Sequence, residues 1–137
     1  MPVGSLALYA ENKVLDHVVG KADFESQLGD VFMGLFTVAP THENGTGGTE
    51  ASAGNYARKS TAAADWNSAA DGHIDNANDI TFVECATANW GTINGFALFD
   101  AVTGGNMLAW GNITSPKTIN IGDTAKFAAG ELDITID

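Results

Sequence analysis

"TINGFALFDAVTGGNMLAWGNI" (residues 92–113) decides the fold. Two apolar runs, Thr92–Phe99 and Met107–Ile113, flank the turn cluster Asp100-Ala-Val-Thr-Gly-Gly-Asn106. Ile93, Phe96, Leu98 and Phe99 make the first run aromatic and branched, which favours a half-buried pleated strand. The pattern predicts strand, turn, strand. Trp110 is expected on the face opposite Met107 and Ala109, packed in a strand apolar on both sides.

The same grammar continues in both directions. Downstream, Thr114-Ser-Pro-Lys117 reads as a turn, and Ile119 and Ile121 alternate with Thr118 and Asn120. Ile121-Gly-Asp-Thr124 turns again, Ala125–Ala128 pairs onward, and Leu132, Ile134 and Ile136 close the chain in alternation with Asp133, Thr135 and Asp137. Upstream, Ile80 and Phe82 alternate with Thr81 and Val83, and the strand is expected to run into Cys85. Asp30–Val38 sets Phe32, Phe36 and Val38 on one face and Val31, Met33 and Leu35 on the other, the mark of a strand covered twice. Pro40 ends it. Asn55–Lys59 is expected as a short strand. Short strands between regular turn signals predict a mainly β fold, an antiparallel sandwich of about eight strands in jelly-roll style. One domain is expected over residues 1–137.

A helix is predicted over residues 5–20, capped by Ser5 and stopped by Gly20. Leu8, Leu15, Val18 and Val19 fall at helical spacing, so this stripe is expected to cover the sheet. The N-terminus has no basic start or long apolar run, so neither a signal peptide nor a membrane helix is expected, and the chain is taken to fold in the cytoplasm.

Six Lys and Arg against seventeen Asp and Glu give a net charge of −11. Such a chain repels phosphates, which argues against nucleic acid and anionic membranes as partners. Cys85 is the sole cysteine, so no intrachain disulfide forms, and a small buried thiol is expected there.

"THENGTGGTEASAGNYARK" (residues 41–59) resembles a phosphate cradle only superficially. No Lys follows the glycines directly, Glu43 and Glu50 would repel a phosphate, and Tyr56-Ala-Arg58 is more strand than helix. The stretch is expected as a long inter-strand loop, with 41–54 ordered by contact with another chain. Asp71, His73, Asp75 and Asp79 crowd one segment, but His73 stands at the third place and no glutamate at the twelfth, unlike a calcium loop. A turn-forming acidic loop is the reading, and no metal or cofactor is expected. His17, His42 and His73 lack paired zinc spacing. Ser52 in Glu-Ala-Ser-Ala-Gly lacks the nucleophile-elbow pattern, so no catalytic residue is named. Trp66, Trp90 and Trp110 could stack sugars only if Trp66 and Trp90 stood exposed side by side.

The order "ALYAENKVLDHVVGK", "VFMGLFTVAP", "GNYAR", "ITFVECATANWGTINGFALFDAVTGGNMLAWGNIT", "SPKTINIGDTAKFAAG", "LDITID" resembles a family of small virion proteins of tailed bacteriophages, often labelled tail fibre protein. Similar proteins of β-sandwich build act as capsid decoration or cement proteins. The resemblance implies a non-enzymatic building block on the outer surface of the particle. The preferred expectation is a head decoration protein bound to the major capsid protein and to copies of itself, by analogy as a trimer. A tail or fibre component is the alternative, and a carbohydrate-binding module a third.

Overall fold

The computed structural model describes residues 3–22 and 29–136. Among them the chain runs β1 (Val3–Leu6), α1 (Leu8–Val18), β2 (Val31–Val38), β3 (Thr49–Glu50), β4 (Lys59–Thr61), a 3-10 turn (Ala63–Asp65), β5 (His73–Asp75), β6 (Ile80–Thr81), β7 (Gly91–Phe99), β8 (Met107–Ile119), β9 (Lys126–Phe127) and β10 (Asp133–Thr135). The fold is mainly β with one helix, as expected.

The strands form an eight-stranded sheet in the order β3-β2-β7-β8-β1-β10-β5, with β4 also paired to β2, and a two-stranded ribbon β6-β9. The pairing is antiparallel except between β1 and β10, which run parallel with Gly4 opposite Ile134. Parallel neighbours need a long crossover. Here nearly the whole chain lies between the two strands.

Alternation along the paired strands sorts the side chains. One face carries Met33 and Leu35 of β2, Phe96 and Leu98 of β7, Ala109 of β8 and Ile134 of β10. On it lies a second, sandwich-like layer: Ile80 and Phe127 from the ribbon, then Phe82, Cys85, Trp90 and Leu132 from the segments beside it, in one buried cluster. The Phe96 and Phe127 rings meet edge to face at 6.2 Å. Phe96 rests on bare backbone, because a Cβ on Gly111 would come within 2.9 Å of the Phe96 ring and 2.5 Å of the Val3 carbonyl oxygen. The opposite face holds a smaller cluster of Ala7, Phe36, Ala97, Phe99 and Met107.

Several boundaries differ from the sequence reading. Ser5 is not a helix cap but a residue of β1, and Ala7 precedes the helix without a side-chain cap. Gly20 does end the helix, with φ +75 and its N–H bonded to the His17 carbonyl. The turn expected at Thr114–Lys117 is strand: Ile93 pairs Lys117 and Gly95 pairs Asn112, so residues 113–116 bulge out opposite Asn94. Pro116 thereby sits where no ladder hydrogen bond is asked of it. The β7–β8 register also shifts between Leu98 and Phe99, and Trp110 consequently packs with Met107 rather than opposite it. Cys85 is buried as expected, but it follows β6 in irregular chain, its thiol bonded to the Ala88 carbonyl at 3.2 Å.

Candidate interaction surfaces

The best-built polar arrangement on the molecule joins β3, β4 and the β7–β8 turn. The Arg58 side chain, only 7% exposed, holds Glu50 with two bonds, Nε to Oε1 and Nη2 to Oε2, both 2.9 Å. Its Nη1 donates to the carbonyls of Ala101 and Gly104, each at 2.8 Å. The guanidinium lies 3.5 Å from the centre of the Phe99 ring, a cation–π contact. Tyr56 donates to Glu50 Oε1 at 2.9 Å and accepts the Leu35 N–H at 2.8 Å. The cluster therefore finishes the outer edge of β2 between β3 and β4. Every group in it has a partner, and nothing reactive is left open, so it is architecture.

Burial, reinforced by the Glu50 charge, pushes the Tyr56 hydroxyl well above the ordinary tyrosine range. A folded value above the unfolded one means the native state holds its proton longer. Stability is thus complete below pH ~10 and falls as pH rises beyond it. Tyr56→Phe is expected to be less stable at neutral pH but to lose this alkaline slope, as checked by denaturant midpoints measured across pH 8 to 11.

The chemical candidates of the sequence are dispersed. Asp71 and Gly72, with φ 52 and 80, form the tip of a two-residue hairpin between Ala70 and His73. His73 Nδ1 meets Asp133 Oδ1 at 3.1 Å, Asp75 accepts from Asn67 Nδ2 at 2.8 Å, and Asp79 accepts the Ala129 N–H at 2.9 Å. Among the described residues no three His, Cys, Asp or Glu side chains gather as metal ligands would. His17 and His42 lie exposed on the helix and on the 41–48 loop, apart from His73. Ser52 is exposed beside β3. Trp90 is 3% exposed, edge-on to Tyr56 at 5.3 Å, so it cannot stand beside Trp66 as a sugar platform. Trp66 donates to Thr61 Oγ1 at 3.0 Å and packs on the main core.

The loop after β2 is folded onto the body. The Leu8 N–H bonds to the Glu43 carbonyl at 3.0 Å, and Gly45 lies against Met107. The loop and the helix start together close the second face.

Among the described residues two surfaces stand out as candidates for contact. The first is on α1. Its inward side is Ala7, Ala10 and the half-buried Val14. The expected covering stripe points to solvent instead: Leu15, Val18 and Val19 are 63%, 73% and 76% exposed, and Leu8 is exposed as well. Small residues allow the close approach, so the larger ones are left outside. Leu8, Leu15 and Val19 align along ~16 Å of one side of the helix. The second surface is a solvent-open groove of about 480 Å³ between the β8 bulge and β9. Ile93, Ile113, Ile119 and Phe127 form its apolar part, and Lys117, Lys126 and Glu131 its charged margin. It follows from the bulge and could not be seen in a sequence read as a turn there.

Among the described residues no helix is long and apolar enough to cross a membrane. A search of curated proteins returns no match. A family model does match, over residues 5–135 and so almost the whole chain. With a tailed-phage virion family thus spanning sheet, ribbon and helix alike, the chain belongs to the family described as Podophage GP4 fiber I protein gp80.

Proposed function

We propose that this protein is a non-enzymatic component of the phage fibre apparatus, on the outside of the particle, working by adhesion between protein surfaces. The observation that carries this reading is the apolar stripe of α1 turned to solvent on a chain of net charge −11. Large apolar side chains left exposed on one helix mark a contact site, while the charge keeps the unassembled protein soluble. The family description, a fiber protein, favours the fibre over the head position expected from sequence. In the fibre reading the partners are other fibre or tail chains and further copies of this one.

Head decoration, with the major capsid protein as partner and a trimeric assembly, is the second reading. The high negative charge favours it, because an abundant outer shell component needs solubility at high local concentration. Quantitative mass spectrometry of purified particles separates the two. A handful to dozens of copies is the expected result, whereas hundreds place the chain on the head. The stripe itself is tested by the double substitution Leu15→Glu, Val19→Glu. It is expected to leave the melting temperature of the isolated protein nearly unchanged, since exposed positions rarely shift stability beyond ~0.5 kcal/mol. Incorporation into particles should drop severalfold. Normal incorporation of the doubly substituted protein would show that α1 is not the adhesive surface.

A further inference from the structure

We infer that the groove between the β8 bulge and β9 is a docking site for an extended peptide segment of a partner chain, one that sets a branched apolar side chain next to a carboxylate. This inference rests on the groove alone and does not depend on where the protein sits in the particle.

The bulge at residues 113–116 lifts β8 off its β7 ladder, and a groove opens beside it over the edge of the core. Ile93, Ile119 and Phe127, all buried in the main cluster, contribute to the groove, and half-buried Ile113 extends it. A volume of about 480 Å³ lies within the ~300–1,000 Å³ of ordinary binding clefts and suits one or two aliphatic side chains with their backbone.

The margin selects the occupant by charge. The chain has six basic residues, and two of them, Lys117 and Lys126, border this one groove. Arg58 is used internally by Glu50. Lys126 Nζ lies 3.6 Å from Asp79 Oδ2, a loose exposed pair that a competing carboxylate can replace. The Glu131 carboxylate is held by the Ala128 N–H at 2.7 Å, which fixes a negative group on the margin and favours a one-directional fit. In a chain of net charge −11, Lys117 and Lys126 give an acidic segment opposite charge to meet over an apolar base. Thr114 and Ser115, exposed on the bulge, flank the path that an extended backbone would follow.

The test uses the full chain and a blocked synthetic peptide, Val-Asp-Leu-Ser-Val-Asp, which has this chemistry and is not a segment of the chain itself. In a two-dimensional NMR titration the peptide is expected to bind saturably and to move the signals of Ile93, Ile113, Ile119 and Phe127. Lys117→Glu with Lys126→Glu should weaken it by about tenfold or more while leaving the melting curve in place. A peptide with lysine in place of both aspartates should not bind. The inference is overturned by the absence of saturable shifts at millimolar peptide, by shifts elsewhere on the molecule, by an affinity insensitive to the double charge reversal, or by acetate alone reproducing the effect.

Discussion

Arg58→Met is expected to lower the unfolding free energy by ~3–5 kcal/mol, the usual result of removing one member of a buried ion pair. For a chain of this length the melting temperature should fall by roughly 10 °C or more. Methionine keeps much of the stem volume, so the loss reports the charged end rather than a hole. Three consequences add. Glu50, with its side chain three-quarters buried, loses both bonds from the guanidinium and keeps only the Tyr56 hydroxyl among those described. The Ala101 and Gly104 carbonyls lose the donor that ties down the β7–β8 turn. Phe99 loses the cation over its ring. The partner substitution discriminates pairing from bulk packing. Glu50→Gln alone should also destabilise, but Glu50→Gln combined with Arg58→Met should cost less than the sum, because no uncompensated charge is left inside. Urea denaturation of the four proteins gives the coupling directly. If Arg58→Met melts within a degree or two of the parent, the cluster does not hold the sheet edge.

Why this cluster escaped the sequence while the hairpin beside it did not is a matter of range. The β7–β8 pairing is written locally: apolar alternation on both sides, and an Asp–Asn frame around two glycines whose φ values are 61 and 75. Asp100 even closes the turn itself, accepting the Asn106 N–H at 2.7 Å. Asn76 and Arg58, by contrast, look like ordinary loop polarity until distant strands meet them. The chain's one arginine, in a strongly acidic sequence, was the available signal, since a guanidinium can hold a carboxylate with two bonds. The helix was legible, but the side it buries was not, for another reason. Periodicity shows which residues share a side, not which side faces inward. Leu8, Leu15 and Val19 outweigh Ala7, Ala10 and Val14 on any hydropathy scale, yet the alanines pack, because β1 enters the helix directly and Ala7 is already bonded to the Leu108 carbonyl at 2.8 Å. The groove was hidden by Pro116, which reads as a turn but lies on a bulged strand. The two candidate interaction surfaces thus coincide with the two places where local reading and the packed structure diverge. The edge cluster shows that such divergence can also be purely structural.

Asn76→Leu is expected to cost ~3–5 kcal/mol despite a good match in volume, and for the opposite reason to a cavity. Asn76 is wholly buried, and its amide is fully used. Nδ2 donates to the carbonyls of Asn78 at 2.8 Å and Ala128 at 2.9 Å, while Oδ1 accepts the Leu132 N–H at 2.9 Å. Its own carbonyl takes the Gly130 N–H at 2.7 Å. One side chain therefore joins the end of the 67–79 segment to the turn between β9 and β10, and fixes where Leu132 enters the core. Leucine leaves a buried N–H and two carbonyls without that partner, each worth about 1–3 kcal/mol where water cannot reach. Asn76→Asp sharpens the test. It is the same shape and still accepts the Leu132 N–H, but its second oxygen now faces two carbonyl oxygens instead of donating to them. When protonated it regains one donor, so its deficit relative to the parent should shrink as pH falls from 7 towards 4, while that of Asn76→Leu should stay constant. Matching denaturant midpoints for all three proteins at neutral pH would mean that water or a shifted backbone replaces the asparagine, and that the β9–β10 turn is positioned by Leu132 and Phe127 packing alone.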